Sequence, residues 1–329
     1  MKEENGVPIE LIGISSKNFD ILKGRLESII RDGIAPKLNI VTVIEVEIAE
    51  EIKAIVIKIP KSFASPHLVS FKKSSKFYAR NSSHGKYQLD ISEIRANILA
   101  TETIYESIRN FRFDRISKII NGQAPVLIGQ DPKFVLHIIP LDSFFGKELI
   151  SVNKFDSLMY TINPLSDYLK EYNFDGFLLH NRFDKNYPAN DYIQIFRNGI
   201  LEIVNTDFTK VTKESKLILG KKYESYYVDN LKIWINLLKF FGYNYPIDLM
   251  LSIIGIKGYV QYAPEDFSSR TTPTSIKNEN LLIPDLLLEE NEQEDLHSRL
   301  KILFDPIWNA CGFSQSLNYN AEGKWHTKK

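Results

Sequence analysis

Seven Lys or Arg residues and no Asp or Glu lie between Lys58 and Lys86, in the stretch KIPKSFASPHLVSFKKSSKFYARNSSHGK. Within it, Lys61, Lys72, Lys73, Lys76, Arg80 and Lys86 are interleaved with Phe71, Phe77 and Tyr78, while His84 sits in a Ser-Ser-His-Gly loop just before Tyr87. Cations of one sign among aromatic rings suit a polyanion such as a nucleic-acid backbone, since each phosphate contact displaces a counterion. Arg80 follows an aromatic residue on an expected strand, and its planar fork can hold a phosphate through two parallel hydrogen bonds. The alternative reading is a solvated hairpin whose charge keeps an exposed strand from pairing with other chains.

Other reactive residue types form no comparable pattern. Ser65-Pro66-His67 could place a histidine beside a phosphate, but proline at that position also shapes the start of a strand. His137 and His180 fall in apolar, strand-like runs and are expected to be satisfied core or edge histidines. Cys311 lies in Asn-Ala-Cys-Gly, near His326 in sequence only, so a nucleophile pair does not follow. Asp305, Trp308 and Asn309 occupy an aromatic-polar segment suited to packing, or to stacking a base on Trp308. Glu265 with Asp266, and Glu289 with Glu290, are loop acids with no histidine or third acid spaced to complete a cation site. The segment GIKGYV has two glycines but no following Lys-Ser or Lys-Thr, so it is not a nucleotide-binding P-loop. No catalytic residue and no metal ligand is assigned.

The 329 residues are enough for two domains, and 41 basic residues balance 41 acidic ones. A neutral chain does not coat nucleic acid generally, so anion binding must come from a local patch. The single cysteine excludes an internal disulfide and a multi-cysteine zinc site, and it suits a reducing cytoplasm. The polar start MKEENG does not read as a secretion signal, and no apolar run approaches the roughly 20 residues of a membrane helix.

The elements that must position the basic residues follow from periodicity. Phe19, Leu22, Leu26, Ile29 and Ile30 predict one buried helical stripe, ended by Gly33. Alternating apolar residues predict strands over 39–48 and 53–60, and the basic hairpin continues over 61–80. Asp90 or Ser92 caps a helix that runs toward Phe111, and a second short helix is predicted over 114–123. Beyond it come strands around VLIG and FVLHIIPL, a helix over 165–172, and a strand over 176–180. YIQIF-RNG-ILEIV predicts a hairpin over 192–204 on its Asn198-Gly199 turn. An amphipathic helix is predicted over 223–241 with Gly242 ending it, then strand over 248–262, a loop over 264–280, strand and turn over 281–288, and a helix to Phe304.

The pieces GVPIELIGI, IAPKL, IVIKIPKS, PH, FYARN and ISEIR resemble, in that order, the C-terminal half of the Schlafen AlbA-type (divergent Alba-like) domain found in many bacterial proteins. HIIPL, DGFLL, QIFRNGILE, DLMLSI and FDPIWNACGFSQS look like the uncharacterised region that accompanies that domain. The resemblance implies nucleic-acid binding. Some members are metal-dependent endoribonucleases, whose carboxylates lie in a Glu-Phe-Lys-like helix and after a Gly-Val-Asp-like strand. Neither motif is present here, so no catalytic residue carries over.

The expectation is therefore an α+β protein. Residues 1–103 form an incomplete Schlafen/Alba-like domain, a mostly antiparallel sheet with flanking helices, and residues 104–329 a mixed α+β domain. The expected function is binding of RNA or DNA through the phosphate backbone, by Lys61, Lys72, Lys73, Lys76, Arg80, His84 and Lys86. A regulatory or phage-defence role is analogy alone. Two alternatives stand beside it. One is a Schlafen-like endoribonuclease whose catalytic half, with its divalent metal, is supplied from elsewhere; the other is a protein-interaction scaffold. As it stands the chain is not expected to be an enzyme, and no cofactor is expected. No membrane partner is expected, and an exposed strand edge in the first domain would favour a homo-oligomer.

Overall fold

A computed structural model describes all residues except 1, 5–6, 11–12, 16–18, 39–40, 50–51, 60–61, 63, 82–84, 145–147, 157–167, 182–183, 185, 263–272, 290–295, 321 and 326–329. The protein is α+β with mostly antiparallel sheets, and it divides into two compact units, Met1–Tyr105 and Glu106–Lys329.

The first unit opens with β1 (Lys2–Glu4), β2 (Val7–Glu10) and β3 (Ile14–Ser15), followed by α1 (Phe19–Gly33). Then come β4 (Ile34–Ala35), β5 (Thr42–Ala49), β6 (Ile52–Lys58), β7 (Leu68–Phe71), β8 (Ser74–Asn81) and β9 (Gly85–Gln88). The longer sheets are β3-β6-β5 and β4-β7-β8-β9. The predicted apolar stripe of α1 is only partly covered: Phe19 is buried, Leu22, Leu26 and Ile30 are half-buried, and Ile29 is exposed. Helical spacing lines residues up on one face, but it cannot say how much sheet is there to receive them.

Helix α2 (Ile91–Ile120) is one continuous helix, not the two predicted over 90–111 and 114–123. No Gly or Pro interrupts it. The change in sequence character at Phe111 marks buried arginines, not a break. Its start is a reciprocal capping box: Glu93 N–H donates to Asp90 Oδ1 (2.8 Å) and Asp90 N–H to Glu93 Oε2 (2.9 Å).

The second unit continues with β10 (Lys133–Pro140), a 3-10 turn at Leu141–Phe144, α3 (Val152–Asp156), β11 (Leu169–Tyr172), β12 (Gly176–His180), β13 (Asp191–Phe196) and β14 (Leu201–Asn205). It ends with β15 (Thr209–Val211), β16 (Lys216–Ile218), α4 (Gly220–Phe240), β17 (Ile247–Ile254), β18 (Val260–Gln261), β19 (Asn280–Leu282), β20 (Leu286–Leu288) and α5 (Leu296–Ala310). An antiparallel sheet runs β11-β12-β13-β14-β10-β17-β19, with β20 also paired to β17. The helix predicted over 165–172 is corrected at its end: 169–172 is strand, because Leu169 to Tyr172 pair with His180 to Phe177. VLIG forms no strand, only an isolated bridge from Ile128 to Ala189.

Both faces of this sheet are covered, which is why β10 reads as an almost unbroken apolar run. Phe134, Leu136 and Ile138 join a large core with Tyr227, Leu231 and Trp234 of α4 and Phe304 and Trp308 of α5. Val135, Tyr192 and Val204 form a second core with Ile116 and Ile119 of α2. Helix α4 stops in a Schellman motif: Gly242 has φ 83°, Tyr243 N–H donates to Leu238 O and Gly242 N–H to Lys239 O. Helix α5 runs through Pro306, past the predicted end at Phe304. Among the described residues, no helix is long and apolar enough to cross a membrane.

Candidate nucleic-acid interface

Strands β7, β8 and β9 place the basic residues on one face. The antiparallel register pairs Phe71 with Ser74, Val69 with Lys76, Tyr78 with Gln88 and Arg80 with Lys86. Directly opposed residues share a face and successive ones alternate. Phe71, Lys76, Tyr78, Arg80 and Lys86 therefore project from the same side. Phe77 and Ala79 point the other way and are half-buried, whereas Lys76, Tyr78 and Arg80 are exposed. The alternation visible in the sequence thus resolves into a packed side and a charged, aromatic side.

The turn between β7 and β8 is the two-residue pair Lys72-Lys73, with φ of 45° and 65°. Two positive φ values in succession are the signature of a type I′ turn, a place for Asn-Gly or Gly-Gly. A residue with a Cβ in this left-handed region costs about 1–2 kcal/mol. The hairpin therefore carries its two tip cations at a local conformational cost. Lys72 Nζ lies 5.4 Å from the Phe71 ring centroid, and Lys86 Nζ lies 4.9 Å from that of Tyr78.

Among the described residues, no carboxylate forms an ion pair with Lys72, Lys73, Lys76, Arg80 or Lys86. The acids at the start of α2 engage the other side of the sheet, where Tyr87 donates to Glu93 Oε1 at 3.3 Å. Glu93 beside it, followed by its surroundings and Asp90, pushes the Tyr87 hydroxyl up. Lys61 and His84 lie outside the described residues.

Several other residues singled out in the sequence are occupied structurally. His67 spans two loop segments, with Nδ1 2.8 Å from Pro36 O and Nε2 2.6 Å from Ser62 Oγ. His137 is fully buried and donates from Nε2 to Glu202 Oε2 at 3.0 Å. His180 Nε2 lies 3.3 Å from Glu171 Oε1. Cys311 is buried, and burial pushes its thiol up to about 11, unsuited to a nucleophile near neutrality. Base stacking on Trp308 is excluded: the ring is buried, and its Nε1–H donates to Glu224 Oε1 at 2.6 Å. Asp305 binds Lys301 and the backbone of Ser316, and Asn309 caps Phe313 O and Ser314 O. His326, Glu265, Asp266 and Glu290 lie outside the described residues. Among the described residues, no group of three or more His, Cys, Asp or Glu is placed to hold a metal ion.

Sequence reasoning missed the buried polar groups of the second unit. Glu202 is fully buried on β14. It accepts from Arg115 Nε (2.8 Å) and Nη2 (2.9 Å), from His137, and from Tyr192 Oη (2.9 Å). Burial alone would raise its carboxyl, but the bonds from Arg115 and His137 outweigh it and hold the group at about 2. Arg112, one turn earlier on α2, donates to Ser252 Oγ, Ile283 O and Leu251 O. These arginines fasten α2 to the sheet. Their sequence signals were an acid inside an apolar strand (ILEIV) and arginines at i, i+3 on α2. Glu224 on α4 receives bonds from Trp308, Ser316 and Asn318; burial outweighs them and pushes it up to about 7.

No family model, no curated protein and no solved structure matches this chain.

Proposed function

We propose that the protein binds nucleic acid through the exposed face of β7–β9, contacting phosphates with Lys72, Lys73, Lys76, Arg80 and Lys86. One observation carries this reading: Lys76, Arg80 and Lys86 share one aromatic-bearing side, the Lys72-Lys73 turn lies at its tip, and among the described residues none of the five forms an ion pair with a carboxylate. Contrast makes the point, since Arg112 and Arg115 are buried against specific acceptors and have no fork left for a ligand. Within this proposal the first unit is part of a Schlafen AlbA-type domain, on the ordered pieces from GVPIELIGI to ISEIR. Backbone contacts alone carry no sequence information, so binding is nonspecific.

The test is charge reversal at Lys72→Glu, Lys73→Glu and Arg80→Glu together. All three side chains are exposed, so the fold is retained by circular dichroism. Affinity for labelled transfer RNA, single-stranded DNA and duplex DNA falls on the order of 100-fold at low salt. Unchanged affinity in a folded triple variant refutes the reading.

A further inference from the structure

We infer that the ligand of this face is an unpaired polynucleotide whose bases stack on Phe71 and Tyr78. The inference rests on the nucleic-acid reading above and deepens it. Phe71 is 65% exposed at the hairpin tip, a large apolar ring on the same side as the cations. Tyr78, 37% exposed, sits four residues along β8 from Ser74, the partner of Phe71. The strand rise puts the two rings about 13 Å apart along the face. An ammonium group lies over each ring, that of Lys72 over Phe71 and that of Lys86 over Tyr78, so a base stacks on the opposite ring face or displaces the cation toward its own phosphate.

A duplex offers its phosphates outward and keeps its bases stacked on one another, so exposed rings on a flat strand face gain little from it. A single strand offers both components. Its phosphates meet Lys76, Arg80 and the tip lysines, while its free bases cover the rings and remove apolar surface from water. Stacking on an aromatic plane tolerates any base. The left-handed Lys72-Lys73 turn fits the same picture: a strained pair of cations beside an exposed ring is retained where Asn-Gly would make the turn easier.

The experiment compares oligothymidylate and oligouridylate of about 15 nucleotides, a length within known single-strand site sizes, with a duplex of equal length. Wild type, Phe71→Leu/Tyr78→Leu and the triple charge reversal are each titrated by fluorescence anisotropy. The expected result is single-strand binding about 10-fold or more tighter than duplex binding. The double aromatic variant loses about 10-fold or more on the single strands and stays within about twofold of wild type on the duplex. The oligothymidylate and oligouridylate arms show which sugar is preferred. Duplex binding equal to or tighter than single-strand binding, or an aromatic variant indistinguishable from wild type on single strands, overturns the inference. If charge reversal still abolishes binding in that case, the phosphate reading survives it. Absence of wild-type binding to every probe overturns both.

Discussion

Two hairpins of this protein solve the same turn problem in opposite ways. The β13–β14 hairpin turns through Arg197, Asn198 and Gly199, with only Gly199 left-handed; Gly199 has φ 84°, and a Cβ there would lie 2.4 Å from the Tyr243 ring. Its strand β14 carries Glu202, fully buried and answered by Arg115, His137 and Tyr192. The β7–β8 hairpin turns on two lysines in the same unfavourable backbone region, and its cations face solvent. In the first, turn residue and charge both serve the fold. In the second, neither does: the turn is strained and, among the described residues, its cations have no carboxylate partner, an arrangement that the proposed reading assigns to an external anion. The lesson is that charge count says little until each charge is assigned a partner.

The comparison can be broken most forcefully at Arg115. Arg115→Met leaves Glu202 buried beside His137 and Tyr192 without its bidentate partner, and the expected loss is about 3–5 kcal/mol in denaturant unfolding. A loss under about 0.5 kcal/mol, a surface-like value, would show that the buried pair does not fasten α2. The same pair has a pH signature. The folded-state carboxyl lies at about 2, below its ordinary 4.5, so its stabilising contribution is complete above 4.5 and disappears as pH falls toward 2. Acid unfolding followed by tryptophan fluorescence is expected to steepen in that window, and less so in Arg115→Met.

Gly199→Ala comes next in size. The positive φ and the Tyr243 ring both oppose a methyl group, and about 2 kcal/mol or more of stability is expected to be lost. An unaltered Tm would mean the turn can rearrange, and would remove the contrast with the lysine turn. The smallest effect is the most informative about that lysine turn. Lys72→Asn with Lys73→Gly relaxes the left-handed pair and raises stability by about 1 kcal/mol, while weakening nucleic-acid binding by removing two cations. A variant that gained no stability would show that the turn is not strained; one that bound as well as wild type would show that the tip makes no phosphate contact.

Much of the fold was legible where a local rule has one physical solution. Asn198-Gly199, the Asp90–Glu93 capping box and the Gly242 stop each satisfy backbone groups in a way that few other residues can. Tertiary pairing decided the rest. Residues 169–172 read as helix until β12 supplies a partner, and α2 read as two helices because the sequence changes character at Phe111, where the buried arginines begin. The basic cluster was visible as composition. Which side of the hairpin it occupies, and that Phe71 shares that side while Phe77 does not, required the register. The acid inside ILEIV hinted at a buried anion, but nothing local in that strand names its distant donors.

The most direct test of the hairpin as a phosphate-binding face is the salt dependence of binding to a labelled oligothymidylate, measured for wild type and for the Lys72→Glu/Lys73→Glu/Arg80→Glu variant. Five phosphate contacts to a single strand predict that log affinity falls with log salt at a slope of about −3.5, and that the variant shows little binding and a slope near zero. Wild-type binding insensitive to salt, or the same slope in both proteins, would contradict it.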